Sequence, residues 1–397
     1  MDIEYLKKLV AKTEFTDKEI VELLGLTDPE ECEILRKAAY ERTTELMGSN
    51  VYYRGLIELS NICTANCLYC GIRKDNHNVE RYTMTKDEIV GQAVWAAEQG
   101  YGNICLQAGE RRDEKFIKFI CDCLEEIHQK TISEKLPNGV GVTLSLGFQE
   151  KETYERWAKA SGNRYNLRYL ARIETSNPEL FKKLHAAKGP HEKELEGRLE
   201  ALKTLRECGY QVGTGVMIGI PGQTLEDLCQ DIRTFQKIDA DMIGMGPYLM
   251  SDGAALKDWG QMENDKLFRL SLNMIAVTRL VLGNVNIAAA TALQVLDPEG
   301  REIGVEHGCN VVMPNLSPLK YRPGYQLYDN KPCIDDEPTQ CAGCLERRIT
   351  SRGRRVGWNL SGSSRKWLKR NGREEEQRVR PAHLDLKKGK KIWITAV

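Results

Sequence analysis

The chain has 397 residues in which 57 Lys and Arg balance 57 Asp and Glu, so no net charge draws it to nucleic acid or to a membrane surface. No run of about 18 apolar residues is available to span a bilayer. The length accommodates two average domains or one large α/β barrel with extensions, and the charged opening Met1 to Lys8 lacks an apolar signal core, so a cytoplasmic chain is expected.

The balance hides an asymmetry. From Leu345 onward 16 Lys and Arg stand against 5 Asp and Glu, leaving 41 and 52 on residues 1–344. The body is acidic and the tail basic; such a tail can touch an acidic partner or nucleic acid, and a solvated extension is the favoured reading. Thirteen cysteines in a reducing compartment are ligands or buried small hydrophobes, not disulfides. Cys32, Cys105, Cys121, Cys123, Cys208, Cys229 and Cys309 lie inside periodic apolar segments and are assigned to core packing.

In chain order, residues 1–50 form a helical extension. Thr16-Asp17-Lys18-Glu19 has the pattern of a capping box, and Thr27-Asp28-Pro29-Glu30 places proline at a first helical position. From residue 51, β-like runs alternate with helical patterns. Strands are expected at 51–59, 103–108, 140–146, 168–173, 212–220, 242–247, 285–291 and 310–313. Helices are expected near 86–99, 114–129, 151–159, 192–208, 225–238, 265–282 and 299–306. Eight strands with intervening helices predict an α/β fold, a parallel (β/α)8 barrel over 51–325. A loop and closing segment at 326–367 and a basic tail at 368–397 complete the chain.

Polar residues and other candidate site residues gather at the C-terminal ends of the predicted strands, where such a barrel keeps its active site. They include Gln107, Gly109 and Glu110 after the second strand, Ser145 after the third, Arg172 and Glu174 after the fourth, Met217 and Gly219 in the fifth, Thr291 after the seventh and Met313 after the eighth. The first strand leads into Cys63-x3-Cys67-x2-Cys70. A structural zinc site normally closes with four protein ligands, and His77 is the sole nearby candidate for a fourth. Three thiolates on a 4Fe-4S cluster instead leave one iron open to a small molecule. A second group, Cys333-x7-Cys341-x2-Cys344, follows the last strand.

The first motif, with Tyr69 before its third cysteine, resembles the signature of the radical S-adenosylmethionine (SAM) enzymes. The pieces 67–76 (CLYCGIRKDN), 81–85 (RYTMT), 106–110 (LQAGE), 143–147 (TLSLG), 219–224 (GIPGQT) and 310–315 (NVVMPN) resemble the branch that holds biotin synthase, methylornithine synthase and the [FeFe]-hydrogenase maturases, most of all the maturases. The resemblance implies a [4Fe-4S] cluster on Cys63, Cys67 and Cys70 that binds SAM. It places Tyr69 near the adenine, Gln107 to Glu110 on the methionine amino group, Glu174 on the ribose and Arg198 on the carboxylate, with Ser145, Met217 and Gly219 also lining the cofactor. It implies an auxiliary iron-sulfur cluster, of two or four irons, on Cys333, Cys341 and Cys344. It further implies cleavage of SAM to a 5'-deoxyadenosyl radical inside the barrel. The substrate would be an organometallic cysteine-bound iron carbonyl cyanide precursor of the hydrogenase di-iron subsite, with Arg172, Thr291, Met313, Tyr325 and Tyr328 lining its cavity. A reduced ferredoxin or flavodoxin-type electron donor and other maturation proteins are the implied partners. Taken without the resemblance, Arg198 reads as a solvated helix arginine. Sulfur insertion as in biotin synthase, methylornithine-synthase-like chemistry and a non-catalytic iron-sulfur scaffold stay open at this point.

Overall fold

The computed structural model describes residues 1–162, 166–185, 194–335 and 338–373, apart from the side chains of Lys257 and of 338–343. Helices α1 (Ile3–Val10), α2 (Asp17–Leu24) and α3 (Pro29–Met47) precede strand β1 (Asn50–Ser60). The strands β2 (Asn103–Ala108), β3 (Gly141–Ser145), β4 (Leu167–Leu170), β5 (Gln211–Thr214), β6 (Met217–Ile218), β7 (Met242–Pro247), β8 (Asn286–Ala289) and β9 (Val311–Val312) follow. Between them run α4 (Lys86–Glu98), α5 (Glu114–Thr131), α6 (Lys151–Ala160), α7 (Pro178–Leu184), α8 (Leu195–Glu207), α9 (Leu225–Lys237), α10 (Asn264–Leu282), α11 (Leu293–Leu296) and α12 (Gly300–Glu306). The chain continues with α13 (Pro338–Ser351), β10 (Arg355–Val356) and α14 (Arg365–Arg370).

Capping chemistry starts several of these helices where the sequence indicates. Thr16, Thr85 and Thr224 each close a capping box with the acidic residue three positions on, and Asp28 caps α3 ahead of Pro29. The strands pair in parallel in the order β1-β2-β3-β4-β5-β7-β8-β9, and β1 also pairs with β9, closing an eight-stranded barrel. The barrel reading of the sequence thus holds, with one difference in the fifth strand. The continuous strand expected at 212–220 is broken after Thr214, and Met217–Ile218 forms a separate short strand against β7. At the break the N–H groups of Ile173 and Glu174 both donate to Gly215 O, at 3.1 and 3.0 Å. Gly215 also lies so close to Gly244 that a Cβ would come within 1.8 Å of its carbonyl oxygen.

The N-terminal helices dock on the barrel's outer ring. Arg233 of α9 reaches Asp17 at 2.7 Å, and Asn273 of α10 donates to Leu24 O and Leu26 O. All seven cysteines assigned to packing are buried or half-buried, and none is in a disulfide among the described residues. The far end of the barrel is plugged by 361–364. Arg168 of β4 donates to Ser361 O at 2.8 Å, Asn286 of β8 to Gly362 O at 2.9 Å, and Gln211 of β5 both donates to Ser363 Oγ and accepts from Ser364 N. The docked chain runs past Trp367, because Leu368 is buried and Arg370 pairs with Asp239 and with Asp241, the latter fully buried at 2.5 Å. Residues 374–397 of the basic tail lie outside the described residues. No described helix is long and apolar enough to cross a membrane.

Removing the Arg370 guanidinium leaves Asp241 with Arg206 at 3.5 Å. A hydrogen bond to a charged group is worth about 1.5–3 kcal/mol, so Arg370→Ala is expected to lower the unfolding free energy by that order in urea titrations, with the barrel mouth unaffected.

Candidate functional site

The mouth is built where β1 runs out. The β1–β2 register slips between Glu58 and Ser60, a bulge that turns the chain out of the sheet into the cysteine loop. That loop is fixed by backbone bonds to four neighbouring segments. Thr64 N donates to Glu110 O (2.8 Å), Leu68 N to Leu184 O (2.9 Å), and Gly71 N to Leu327 O (3.0 Å), while Leu68 O accepts from Leu256 N (3.1 Å). Cys63, Cys67 and Cys70 are half-buried. Burial, then the neighbouring Cys67 sulfur, pushes the Cys63 thiol up to about 11. Burial raises Cys70 further, with Cys67 and Cys63 adding to it. Three desolvated thiols that oppose one another's ionisation call for a bound cation to make them thiolates. Among the described residues no three His, Cys, Asp or Glu side chains converge as a single-ion site requires. A cluster takes each thiolate on a separate iron.

The second strand supports this loop from below. Glu110 N–H donates to Cys63 Sγ at 3.3 Å. A Cβ on Gly109 would lie 2.5 Å from Ile62 O and 2.7 Å from Cys63 Cβ, so only glycine lets the two segments meet. The Glu110 carboxylate is held by Arg112 at 2.8 Å and by Phe148 N–H at 2.8 Å. Half-buried Gln107 and Ser145 stand side by side at the ends of β2 and β3.

Glu174 has φ +69°, a left-handed conformation rare outside glycine, and is buried. It is pinned by its N–H on Gly215 O and by Met217 N–H on its own carbonyl at 2.9 Å. Arg172 does not stand apart as a separate anchor. Its guanidinium pairs with the Glu174 carboxylate at 2.8 Å and also donates to Val216 O.

The structure overturns the solvated reading of Arg198. This side chain of α8 is 8% exposed and lies over the rings of Phe148 and Phe181, 4.9 Å from each centroid. It donates to Arg172 O at 3.2 Å, its Nε has no partner among the described residues, and its charge offsets part of the rise that burial gives the Cys67 thiol. Among the described residues no carboxylate pairs with it. Gln223 braces the end of β6 against the turn after it, its Oε1 accepting from Gly219 N at 2.8 Å and its Nε2 donating to Met217 O. Tyr69 packs edge-on against His185.

Besides Arg172, the four residues assigned to a substrate cavity sit at different depths. Thr291 is half-buried in the turn after β8, and Met313 lines an interior cavity with Arg54, Thr143, Met242 and Asn286. Tyr325 is buried, and Tyr328 is half-buried within the field of Glu58, Arg301, Arg172 and Cys333. In the second cysteine group, Cys333 has φ +62°, its carbonyl accepts from Arg322, and its sulfur accepts from Arg301 at 3.8 Å. Cys344 is exposed, and the Cys341 side chain lies outside the described residues.

Two charged features were not singled out in the sequence. Arg54 of β1 is buried in the interior with Nε and Nη2 unpartnered, and burial together with Arg168 pulls its pKa down to about 9. Above it Glu58, also of β1, forms a buried ion pair with Lys331, which further donates to Tyr325 O at 2.9 Å. Asn315 donates to the second Glu58 oxygen at 3.1 Å. A carboxylate at an inward position of a predicted strand was the available signal. Lys331 gave none, because its approach depends on a loop. Breaking a buried pair from one side costs about 3–5 kcal/mol. Lys331→Met is therefore expected to destabilise by that order in chemical denaturation, and Glu58→Gln/Lys331→Met by clearly less.

Comparison with known proteins places this geometry. Residues 57–235 match the radical SAM superfamily model. The chain is 40% identical over 363 residues to the [FeFe] hydrogenase maturase subunit HydE of Thermotoga maritima, covering 91% of this chain and 97% of that one. It is 25% identical to 3-methylornithine synthase of Methanosarcina barkeri over 81% and 85% of the two chains. The crystal structure of methylornithine synthase superposes with a TM-score of 0.73 at 22% identity, covering 89% of this chain and 98% of that chain. The maturase HydG of Carboxydothermus hydrogenoformans gives 0.74 at 20% identity over 92% and 82%, a likeness of fold. With 40% identity across nearly the full length of both chains, joined to a three-cysteine loop at the mouth of a parallel barrel, the protein belongs to the radical SAM superfamily and is an enzyme of the HydE maturase type.

Proposed function

We propose that the chain binds SAM across the barrel mouth and directs its reductive cleavage at a small substrate held in the interior. The observation that carries this is Arg198, a buried guanidinium between two phenyl rings with an unpartnered Nε. A buried cation without a counter-ion is costly, and a ligand carboxylate beside the cysteine loop relieves it by a charge-assisted hydrogen bond. Glu174, fixed in its left-handed conformation, accepts from the ribose hydroxyls. The Gln107 to Glu110 element receives the methionine amino group, and Tyr69, Ser145, Met217 and Gly219 line the nucleoside. Cys63, Cys67 and Cys70 hold the [4Fe-4S] cluster, which when bound supplies the electron that cleaves SAM to the 5'-deoxyadenosyl radical. The residues around it do the positioning and exclude water.

The relative of Thermotoga maritima is by its name a hydrogenase maturase subunit. By that likeness the substrate is a cysteine-bound iron carbonyl cyanide precursor of the hydrogenase di-iron subsite, and other maturation proteins deliver or accept it. Thr291, Met313, Tyr325 and Tyr328 surround it. Arg172 meets its carboxylate while sharing Glu174, and Arg54 makes the interior receptive to negative charge. A reduced ferredoxin or flavodoxin-type protein supplies the electron. Cys333, Cys341 and Cys344 hold an auxiliary cluster, in support of which Arg301 already lies against the Cys333 sulfur.

The test is anaerobic reconstitution with iron and sulfide, then dithionite and SAM, with 5'-deoxyadenosine as the readout. Single Ala replacements of Cys63, Cys67 and Cys70 are each expected to abolish product, and wild-type turnover in any of them refutes the assignment. Arg198→Ala is expected to weaken SAM binding about ten- to hundredfold, the value of a charged hydrogen bond, with cluster content retained.

In the same assay the triple Ala variant of Cys333, Cys341 and Cys344 is expected to lose iron and visible absorbance yet still cleave SAM. Unchanged iron per chain would show that no cluster binds there.

A further inference from the structure

His185 ends helix α7 and is 9% exposed. Its Nδ1 lies 2.9 Å from Phe181 O, and because a carbonyl only accepts, Nδ1 carries the proton. Burial and, after it, the Arg198 charge hold the ring neutral, with a pKa of about 3. The second nitrogen, Nε2, therefore presents a lone pair, and among the described residues it has no partner. An unmet buried acceptor costs about 1–3 kcal/mol, so its place in the molecule calls for an explanation.

That place is within a row of flat groups, between Phe181 and Tyr69. Phe148 and Phe181 flank Arg198, the His185 ring lies over Phe181 with centroids 4.2 Å apart and planes 30° apart, and Tyr69 meets His185 edge-on at 5.6 Å. The row borders an apolar patch separate from the main core, formed by Leu180, Leu184, Met217, Ile220 and Tyr248 with Tyr69 packed on it. The helix that carries His185 is tied to the cysteine loop through Leu184 O and Leu68 N. Thus a neutral acceptor, a run of aromatic faces and an apolar wall meet beside the cluster-binding loop.

We infer that His185 is a cofactor-binding residue whose Nε2 accepts a hydrogen bond from the exocyclic amine of the SAM purine. This rests on the SAM reading above and adds a residue to it. Among the donors of that ligand, the ammonium is disfavoured here by the Arg198 charge, and the ribose hydroxyls have Glu174. The purine amine is the donor carried on a flat ring that suits aromatic and apolar walls. The imidazole then selects an amino-purine over a ring that lacks the donor, because the unmatched acceptor stays buried and unpaired.

The experiment measures equilibrium binding to the anaerobically reconstituted holoenzyme, for SAM and for an analogue with hydrogen in place of the purine amine. His185→Ala is expected to weaken SAM about ten- to hundredfold. The analogue is expected to bind wild type more weakly by a similar factor and to lose little further in the variant, so the two losses do not add. The iron content and the melting temperature of the chain without SAM are expected to stay near wild type. If the Ala variant melts lower, His185→Gln, which keeps an acceptor and most of the volume, is compared instead and is expected to regain preference for SAM over the analogue. SAM binding unchanged in His185→Ala, additive losses, or a Gln variant without that preference overturns the inference and leaves the SAM reading standing. A wild-type holoenzyme that does not bind SAM overturns both.

Discussion

Closure of the sheet through β1 is the constraint on which the rest depends. This strand pairs in parallel with β2 on one side and β9 on the other, and its start also pairs with β10. Because every barrel strand runs the same way, all the strand ends open at one mouth. The bulge at the end of β1 then throws the cysteine loop across that mouth, where it is held by the ends of β2, α7 and the segment after the last strand. A thiol loop on an open edge would be exposed and mobile. Here it is half-buried, and its geometry is set by a sheet that cannot slip register without breaking the ring.

The second organising feature is the ordering of charge along the barrel axis. The plugged end holds Arg168 on the serines of 361–364. Arg54 follows with two open nitrogens, then the Glu58–Lys331 pair, then Arg172–Glu174 and Arg198 at the mouth. Buried charge is costly unless paired and hydrogen-bonded. The satisfied members, Glu58 with Lys331 and Asn315, brace the walls. The unsatisfied ones, Arg54 and Arg198, keep nitrogens without a partner among the described residues, which is what motivates the proposed ligand contacts. The same reasoning extends to neutral groups such as the Nε2 of His185.

Lys331 joins these features. It lies two residues before Cys333 and reaches back to a carboxylate of the first strand, while Leu327 of the same segment caps the Gly71 N–H of the cysteine loop. The stretch from Tyr325 to Cys333 therefore bridges the two cysteine groups physically. A Cβ on Gly71 would come within 2.2 Å of Gln326 O, which shows how tightly the bridge is drawn.

Much of this was determined by the sequence itself. Alternating strand and helix patterns, the capping threonines and the three-cysteine spacing are local signals, readable because each depends on neighbours within a few residues. Met242–Pro247 and Asn103–Ala108 form strands over the residues their composition indicates. Residues whose surroundings come from distant segments were decided only by tertiary structure. The break at Gly215 depends on the N–H groups of Ile173 and Glu174, in the segment that follows β4, and on close contact with β7. Arg198 looks like any helix arginine until Phe148 and Phe181 enclose it, and Arg172 becomes the partner of Glu174 only because the left-handed turn brings them together. Spacing along the chain can announce a set of candidate ligand atoms. Burial and pairing, which decide whether a charge awaits a ligand, arise only when segments far apart in sequence close on one another.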